Sequence, residues 1–141
     1  MTSERGSAPV WFLGLSLCVL MVGVMSAELW RAIGERQELV AMADAAAIAA
    51  AGAIDLDHYR ATGEIVIDRD DATAVALQVI GGSSGGEEMS TAPSIAIAND
   101  GSSVTIELTR EVPFGLIRIL ALDDQGFSVT GVAIAYPYSP P

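Results

Sequence analysis

The feature that most constrains this chain is a run of 22 residues without a charge, residues 6–27. A helix of that length spans roughly 33 Å, against about 30 Å for the hydrocarbon core of a bilayer. Trp11 lies near the start of the run and Trp30 just beyond its end, where aromatic residues mark membrane interfaces. Pro9 falls in the first turn, where a missing N–H is harmless. The run therefore predicts a transmembrane helix.

Two other interpretations of this run stay open. A cleaved secretory signal has an apolar core of about 7–15 residues that ends in a small-x-small site. Here the run is longer, the best candidate site around Ser26 is poor, and the chain continues through Glu28 without a helix breaker. A buried helix of a soluble protein is the second alternative. We expect a retained anchor.

The charges lie outside this run. The chain is 51% hydrophobic and 18% charged, and its 18 acidic residues outnumber seven basic ones, all Arg, for a net charge of −11. Glu4 and Arg5 are the only charges in residues 1–27, so the whole net charge follows Ala27. An acidic domain lacks the basic face that binds phosphates, which argues against a nucleic-acid partner. A single Cys excludes a disulfide scaffold.

The orientation of the span is not decided by its flanking charges. Arg5 and the α-amino group stand on one side, and Arg31 and Arg36 stand on the other, so the positive-inside rule gives a tie. We expect the N-terminus inside because nothing in the acidic, Lys-free remainder would hold it to the cytoplasmic leaflet.

Small residues recur at four-residue spacing within the span. Gly14 with Cys18, and Gly23 with Ala27, are pairs of the kind that lets membrane helices approach closely. We expect a helix-packing role for these four residues. Cys18 lies mid-span, too deep for palmitoylation, and its apolar surroundings suppress thiolate formation.

Residues 28–54 predict one helix that leaves the membrane as a stem, because they contain no Pro and no stop signal before Gly52. Small residues at three- and four-residue steps in its second half favour close packing against another surface. We expect Asp44, the one charge there, on the solvent side, with a contact to a partner protein as the alternative. The small-residue face is Met42, Ala43, Ala46, Ala49, Ala50 and Ala53.

The chain after the stem predicts a small α+β head. A connection at residues 55–63 leads to a short strand at residues 64–68, after which Asp70 or Asp71 looks like a helix N-cap. Apolar residues at helical spacing then predict an amphipathic helix that ends in a glycine-rich loop at residues 81–86. The apolar positions are Ala72, Val75, Ala76, Val79 and Ile80.

The period changes from helical to two in the last third of the chain, which predicts antiparallel strands. Residues 99–102 are a hairpin signal, and Pro113 ends the strand that follows. Residues 114–122 are ambiguous between helix and strand, and residues 127–136 form the last strand, with a bulge at Gly131. The segments are a stub at 1–5, the span at 6–27, the stem at 28–54, the head at 55–136 and a Pro-rich tail at 137–141.

No chemical constellation stands out, so we predict no catalytic, cofactor-binding or metal-ligating residue and expect no small-molecule substrate. His58 is the only histidine and is expected as a surface or capping residue. The acids at residues 68–71 resemble the start of a calcium loop, but Thr73 and Val79 stand where Gly and Glu are required. The glycines at residues 81–86 follow a helix and lack Lys, unlike a phosphate-binding loop.

Several short motifs follow one another along the chain. They are Glu4, Arg5, Gly6 and Ser7 before the span; Arg31, Gly34, Glu35 and Arg36 leading into Met42, Ala43, Asp44 and three alanines; Tyr59, Arg60, Ala61, Thr62 and Gly63 before the second helix; and Arg110, Glu111, Val112 and Pro113 ending a strand. In this order, over most of the chain, they resemble the TadE/TadG-like proteins encoded with the tight-adherence (Flp) pilus machinery of bacteria.

The resemblance implies a pilin-like α+β fold on a single transmembrane helix. It implies a non-enzymatic pseudopilin-like or minor-pilin-like component of the cytoplasmic membrane, with an extracytoplasmic head, that assists assembly or anchoring of the pilus. The implied partners are other pilus subunits, membrane-platform proteins of the tight-adherence system and the lipid bilayer, with no cofactor.

Pilin-type processing would cut between Gly6 and Ser7, but the sequence departs from that pattern. Processed pilins prefer a Glu five residues after the Gly, and here that position is Trp11. Since that Glu registers subunits in a filament, its absence predicts an unprocessed, membrane-resident protein.

Two further functions stay open. The first is a membrane-anchored extracytoplasmic binding or sensor module unrelated to pili, which would need a ligand pocket in residues 28–141. The second is an enzyme or accessory subunit, which would need perturbed ionisable residues in a cleft around His58.

Overall fold

The computed structural model describes residues 7–83, 85–86, 89–113 and 126–138. Within them the chain forms three helices and three strands. In chain order these are α1 (Ser7–Ala51), α2 (Leu56–Thr62), α3 (Arg69–Gly82), β1 (Ser94–Ile97), β2 (Val104–Pro113) and β3 (Gly126–Ala135).

The first helix, α1, runs without a break from the predicted span into the predicted stem. Its 45 residues make a rod about 68 Å long. The hydroxyls of Ser16 and Ser26, inside the apolar run, donate to the carbonyl oxygens of Phe12 and Val22 at 2.9 and 2.8 Å. These polar groups are thus paired within the helix itself. The predicted continuous helix is confirmed.

The strands form one antiparallel sheet in the order β1-β2-β3, which confirms the α+β class. β2 and β3 pair over ten residues without a break, with Gly131 opposite Leu108, so the bulge predicted at Gly131 is wrong. The glycine serves a different purpose there. A Cβ at Gly131 would lie 2.9 Å from the carbonyl carbon of Leu39 and 3.0 Å from the nitrogen of Val40. The backbones of α1 and β3 therefore touch at this point.

The core of the head lies between the sheet, α3 and the second half of α1. The predicted small-residue face of α1 is buried there, apart from Ala49, which is partly exposed, and Asp44 is exposed as expected. Alanines bury little area each, but they let the helix approach its neighbours closely. The largest fully buried side chains are Leu39, Val104, Ile106 and Leu108.

The connection expected at residues 55–63 contains a short helix instead. Asp55 is the N-cap of α2, and its carboxylate accepts from the backbone N–H groups of Asp57 and His58. Gly63 ends the helix in the left-handed conformation, with φ of 77°. Seven residues are too few for a helical period to show in the sequence, and the capping residues at the two ends were the only available signal.

Residues 64–68 do not form the predicted strand. They make one isolated bridge, between Ile67 and Ile54, which lies just after the end of α1. The chain then enters α3. The N-cap of α3 is Asp68, not Asp70 or Asp71. Its carboxylate accepts from the backbone N–H groups of both those residues, at 3.0 and 3.1 Å.

The amphipathic helix and the first hairpin are confirmed. α3 buries Ala72, Ala76 and Ile80, although it continues through Gly82, two residues into the predicted loop. The backbone N–H of Ala98 donates to Ser103 across the predicted turn at residues 99–102. β3 begins and ends one residue earlier than predicted. Residues 114–125, which include the ambiguous segment, and residues 139–141 of the tail lie outside the described residues.

Candidate functional site

The four residues expected to pack in the membrane lie on two opposite sides of α1. At about 100° per residue, Cys18 is about 40° from Gly14, whereas Gly23 is about 180° from Gly14. All four residues are exposed, and a Cβ at either glycine would meet nothing within 4 Å. The rest of the described chain therefore leaves both small-residue pairs open to the surroundings.

The expected processing residues lie at the start of the chain. Gly6 is outside the described residues, and Ser7 is the first residue of α1.

The first half of α1 carries a continuous apolar surface that the described chain leaves uncovered except near its end, where Phe127 lies beside it. By length and composition it is the one described helix able to cross a membrane. Trp11 and Trp30 are both more than three-quarters exposed, and the 19 residue steps from one to the other correspond to about 28 Å of helix. That separation matches the thickness of a hydrocarbon core, about 30 Å.

A shallow apolar groove lies where the head meets this surface. Phe127, near the start of β3, forms one side of it, and the last turns of the apolar run form the other side. The α1 residues lining it are Val22, Met25, Ser26, Glu28, Leu29 and Ala32. A second groove continues along α1 past Ile33 and Arg36 to Thr130 of β3. The sheet thus begins beside the end of the apolar run.

Arg110 is the buried charged side chain among the described residues of the head, and the sequence reasoning missed its role. Its side chain is 4% exposed, and its guanidinium Nη1 donates to Glu35 Oε2 at 2.9 Å, with Glu38 Oε2 at 4.0 Å. Nη2 donates to the carbonyl oxygen of Gly85 at 2.8 Å. One side chain of β2 therefore joins α1 and the loop after α3. We call Arg110, Glu35, Glu38 and Gly85 the arginine clasp.

The clasp could have been anticipated in part. Residues of β2 alternate between the two faces of the sheet, and Arg110 falls in the inward phase with Val104, Ile106, Leu108 and Val112. A charge at an inward position needs a partner, since an unpaired buried charge is costly. Nothing in the sequence identifies Glu35, 75 residues away, as that partner.

The remaining ionisable groups form no reactive cluster among the described residues. His58 lies on α2, and its Nε2 is 3.7 Å from Glu64 Oε2, which is too long for a hydrogen bond. The acids at residues 68–71 cap and begin α3. No three His, Cys, Asp or Glu side chains converge as metal ligands in the part of the chain that the structure describes.

The turn at the far end of the sheet holds a perturbed carboxyl. Asp100 Oδ1 accepts from the hydroxyl and the backbone N–H of Ser102, at 2.7 and 3.0 Å. These hydrogen bonds, the one from the Ser102 hydroxyl above all, hold the pKa of Asp100 below its usual value. The carboxyl is fully exposed and serves the turn, with Gly101 at φ 67° completing it.

The described residues thus offer two features with consequences for function, the uncovered apolar surface of α1 and the clasp that fixes the head to the same helix. Comparison of the chain with protein-family models, with curated proteins and with solved structures finds no match.

Proposed function

We propose that this chain is a single-pass membrane protein that assists the assembly or anchoring of a bacterial tight-adherence (Flp) pilus. In this proposal it is a pseudopilin-like or minor-pilin-like component without enzymatic activity. α1 crosses the cytoplasmic membrane with its N-terminus inside, and the pilin-like head lies on the extracytoplasmic side.

The observation that carries the membrane part of the proposal is the uncovered surface of α1. Thirteen large apolar side chains between Val10 and Trp30 are exposed. Burial of one such side chain contributes about 1.5–3 kcal/mol, so leaving all of them in water would forgo roughly 20–40 kcal/mol. A folded domain has a net stability of only about 5–15 kcal/mol. A bilayer supplies the apolar surroundings that this helix requires.

The pilus part of the proposal rests on the resemblance and on the arrangement of the chain. Two of the motifs that resemble TadE/TadG-like proteins lie in the head: Asp44 stands exposed beside the buried alanines of α1, and Pro113 ends β2. A span that continues directly into the head suits a protein that must hold its head at a defined place beside other membrane components.

The physical role would be lateral packing in the membrane combined with contacts of the head. The pair Gly14 and Cys18 and the pair Gly23 and Ala27 face opposite ways, so one span could contact two neighbouring helices at once. Association of membrane helices contributes about 1 kcal/mol per polar or small-residue contact, so several contacts must act together.

The test is deletion of the gene in the source bacterium, followed by complementation with full-length variants and counting of pili by electron microscopy. We expect pili to be lost on deletion and restored by the unaltered chain. The double variants Gly14→Leu/Cys18→Leu and Gly23→Leu/Ala27→Leu should restore fewer pili and co-purify with less partner protein after membrane cross-linking. Val19→Leu, a change between two large residues on the same span, is the matched control.

Two results would count against the proposal. If deletion leaves the number of pili unchanged, the pilus role is wrong and a membrane-anchored binding or sensor module becomes the better interpretation. If both double variants behave like Val19→Leu, the small-residue pairs do not mediate packing.

A further inference from the structure

The strand β3 lies along α1 and runs in the same direction as the helix. It begins near the end of the apolar run. Phe127 lines a groove with Val22, Met25 and Leu29, and Gly131 meets Leu39 and Val40. The four residues from Phe127 to Gly131 advance about 14 Å along the strand. The ten residues from Leu29 to Leu39 advance about 15 Å along the helix. β3 and α1 therefore advance by nearly the same distance between these two contacts. Phe127 lies at the end of the sheet nearest the span.

This end of the sheet lies at the level where the apolar run stops. Val22 and Met25 belong to the uncharged run, and Trp30 follows its last residue by one turn. Under the proposed function, on which this inference rests, that level is the boundary between hydrocarbon and headgroups. Aromatic side chains are favoured at such a boundary.

The described residues at the tip of this end are uncharged. Pro113 pairs with Gly126 as the last rung of the sheet, followed by Val112 opposite Phe127. The chain between the two strands leaves and re-enters the sheet here. In sequence, the twelve residues 114–125 that join Pro113 to Gly126 contain three charges, Arg118, Asp123 and Asp124, for a net charge of −1.

The opposite end of the head is strongly acidic. The backbone of Ile67 donates to Gly101 at 3.1 Å and that of Asp68 donates to Ala53 at 2.9 Å, which brings α2, the start of α3 and the first hairpin together beyond the end of α1. With seven carboxylates against Arg60 and Arg69, this end has a net charge of −5, so anionic lipids repel it more strongly than the opposite end, whose described tip is uncharged. The carboxylates in these segments are Asp55, Asp57, Glu64, Asp68, Asp70, Asp71 and Asp100.

We propose that the end of the sheet formed by Pro113, Gly126 and Phe127 is a second membrane-contact surface, which rests in the interface of the bilayer that α1 crosses. The partner is the lipid surface itself. The head then lies against the membrane with its acidic end pointing away, and it is not carried on a free-standing stem.

The experiment measures depth in the membrane with a single tryptophan per protein. The full chain, with Trp11→Phe and Trp30→Phe as background, is reconstituted into vesicles of phosphatidylethanolamine and phosphatidylglycerol that contain lipids brominated on their acyl chains. Phe127→Trp is the test position. Leu17→Trp reports the middle of the span, and Tyr136→Trp, one residue past the far end of β3, reports a position about 30 Å from Phe127.

We expect bromine to quench most of the Leu17→Trp emission, to quench Phe127→Trp clearly and shift its emission to the blue, and to leave Tyr136→Trp unaffected. Ser128→Trp, exposed on the outer face one residue along, is the second reporter if Phe127→Trp perturbs the fold, as judged by circular dichroism. It should be quenched more than Tyr136→Trp.

The outcomes separate the two proposals. If Leu17→Trp is quenched while Phe127→Trp and Ser128→Trp behave like Tyr136→Trp, the anchor stands and the second contact is wrong; the groove would then be free for a protein partner. If Leu17→Trp is not quenched either, the membrane anchor itself is wrong and the second contact falls with it.

Discussion

The two halves of α1 belong to one unbroken helix and are both rich in apolar residues, yet they have opposite surroundings. In the first half, large side chains such as Leu13, Leu17 and Leu20 are about two-thirds exposed. In the second half, Ala43, Ala46 and Ala50 are completely buried. The difference lies in side-chain size. Alanines allow the helix to approach a sheet and a second helix, whereas a bulky surface suits a fluid environment that needs no fitted partner.

The exposed half of α1 gives way to the buried half near Glu35 and Glu38. Glu35 and Glu38 lie between the two halves, and both face Arg110 of the head. The arginine clasp therefore holds the head to the helix at the boundary between the two halves. Substitutions in the clasp change neither the exposed apolar side chains of the first half nor the buried alanines of the second half. They therefore test the contact at the boundary between the two halves.

The largest effect is expected from Glu35→Ala. It leaves the buried guanidinium of Arg110 with the Gly85 carbonyl and with Glu38 at 4.0 Å. Removing one partner of a buried ion pair costs about 3 kcal/mol at the low end of the usual range. The free energy of unfolding of the head, measured by urea titration in detergent micelles with circular dichroism, should fall by about that amount.

Glu38→Ala is the matched control for the clasp. Its carboxylate is half exposed and 4.0 Å from Arg110, so its loss should cost under about 1 kcal/mol. Equal losses in the two variants would contradict the assignment of Glu35 as the principal partner.

A second test adds one methyl group beside each half of α1. Gly131→Ala places a methyl group against the backbone of Leu39 and should destabilise the head by about 2 kcal/mol through overpacking. Gly14→Ala places the same group in open space on the span, where it should leave the head unchanged. The same urea titration measures both. Equal effects would mean that the head does not pack closely on α1.

The smallest effect is expected at the acidic end of the head. The pKa of Asp100 is lower in the folded chain than in the unfolded chain, so its hydrogen bonds to Ser102 stabilise the turn fully at neutral pH. This stabilisation is lost as the pH falls through the folded pKa, below about pH 4. Nuclear magnetic resonance titration of the Asp100 carboxyl should give a lower midpoint than in a peptide of the same local sequence.

Ser102→Ala should raise that midpoint, because it removes the hydroxyl that donates to the carboxylate. The first half of α1, which carries no charge as far as Ala27, should show no response over the same pH range. A midpoint identical in chain and peptide would mean that the turn is not held by this carboxylate.

Periodicity made much of the fold predictable. α3, β2 and the second half of α1 each repeat a pattern along their length, so their existence and their buried faces followed from the sequence. α2 is too short to show a period, and the choice of Asp68 over Asp70 and Asp71 as N-cap depends on which residue is extended. Such local geometry is decided by the packing of neighbouring segments.

The candidate site was predictable in a different way. The apolar run is a property of composition, so it was visible at once. The clasp is a property of pairing, because Arg110 and Glu35 meet only when the sheet is laid on α1. The groove beside Phe127 depends on the same placement. Sequence patterns describe one element at a time, and contacts between distant elements need the fold.

The unbroken course of α1 has a mechanical consequence. A helix without a hinge acts as a lever, since any tilt of its lower part is carried into the upper part. From Ala27 to Ala51 the helix extends about 36 Å, so a tilt of about 20°, typical of single spans, would displace its upper end sideways by about 12 Å. In the proposed membrane arrangement, forces applied to the head would reach the first half of α1 directly, and a change in bilayer thickness would swing the head.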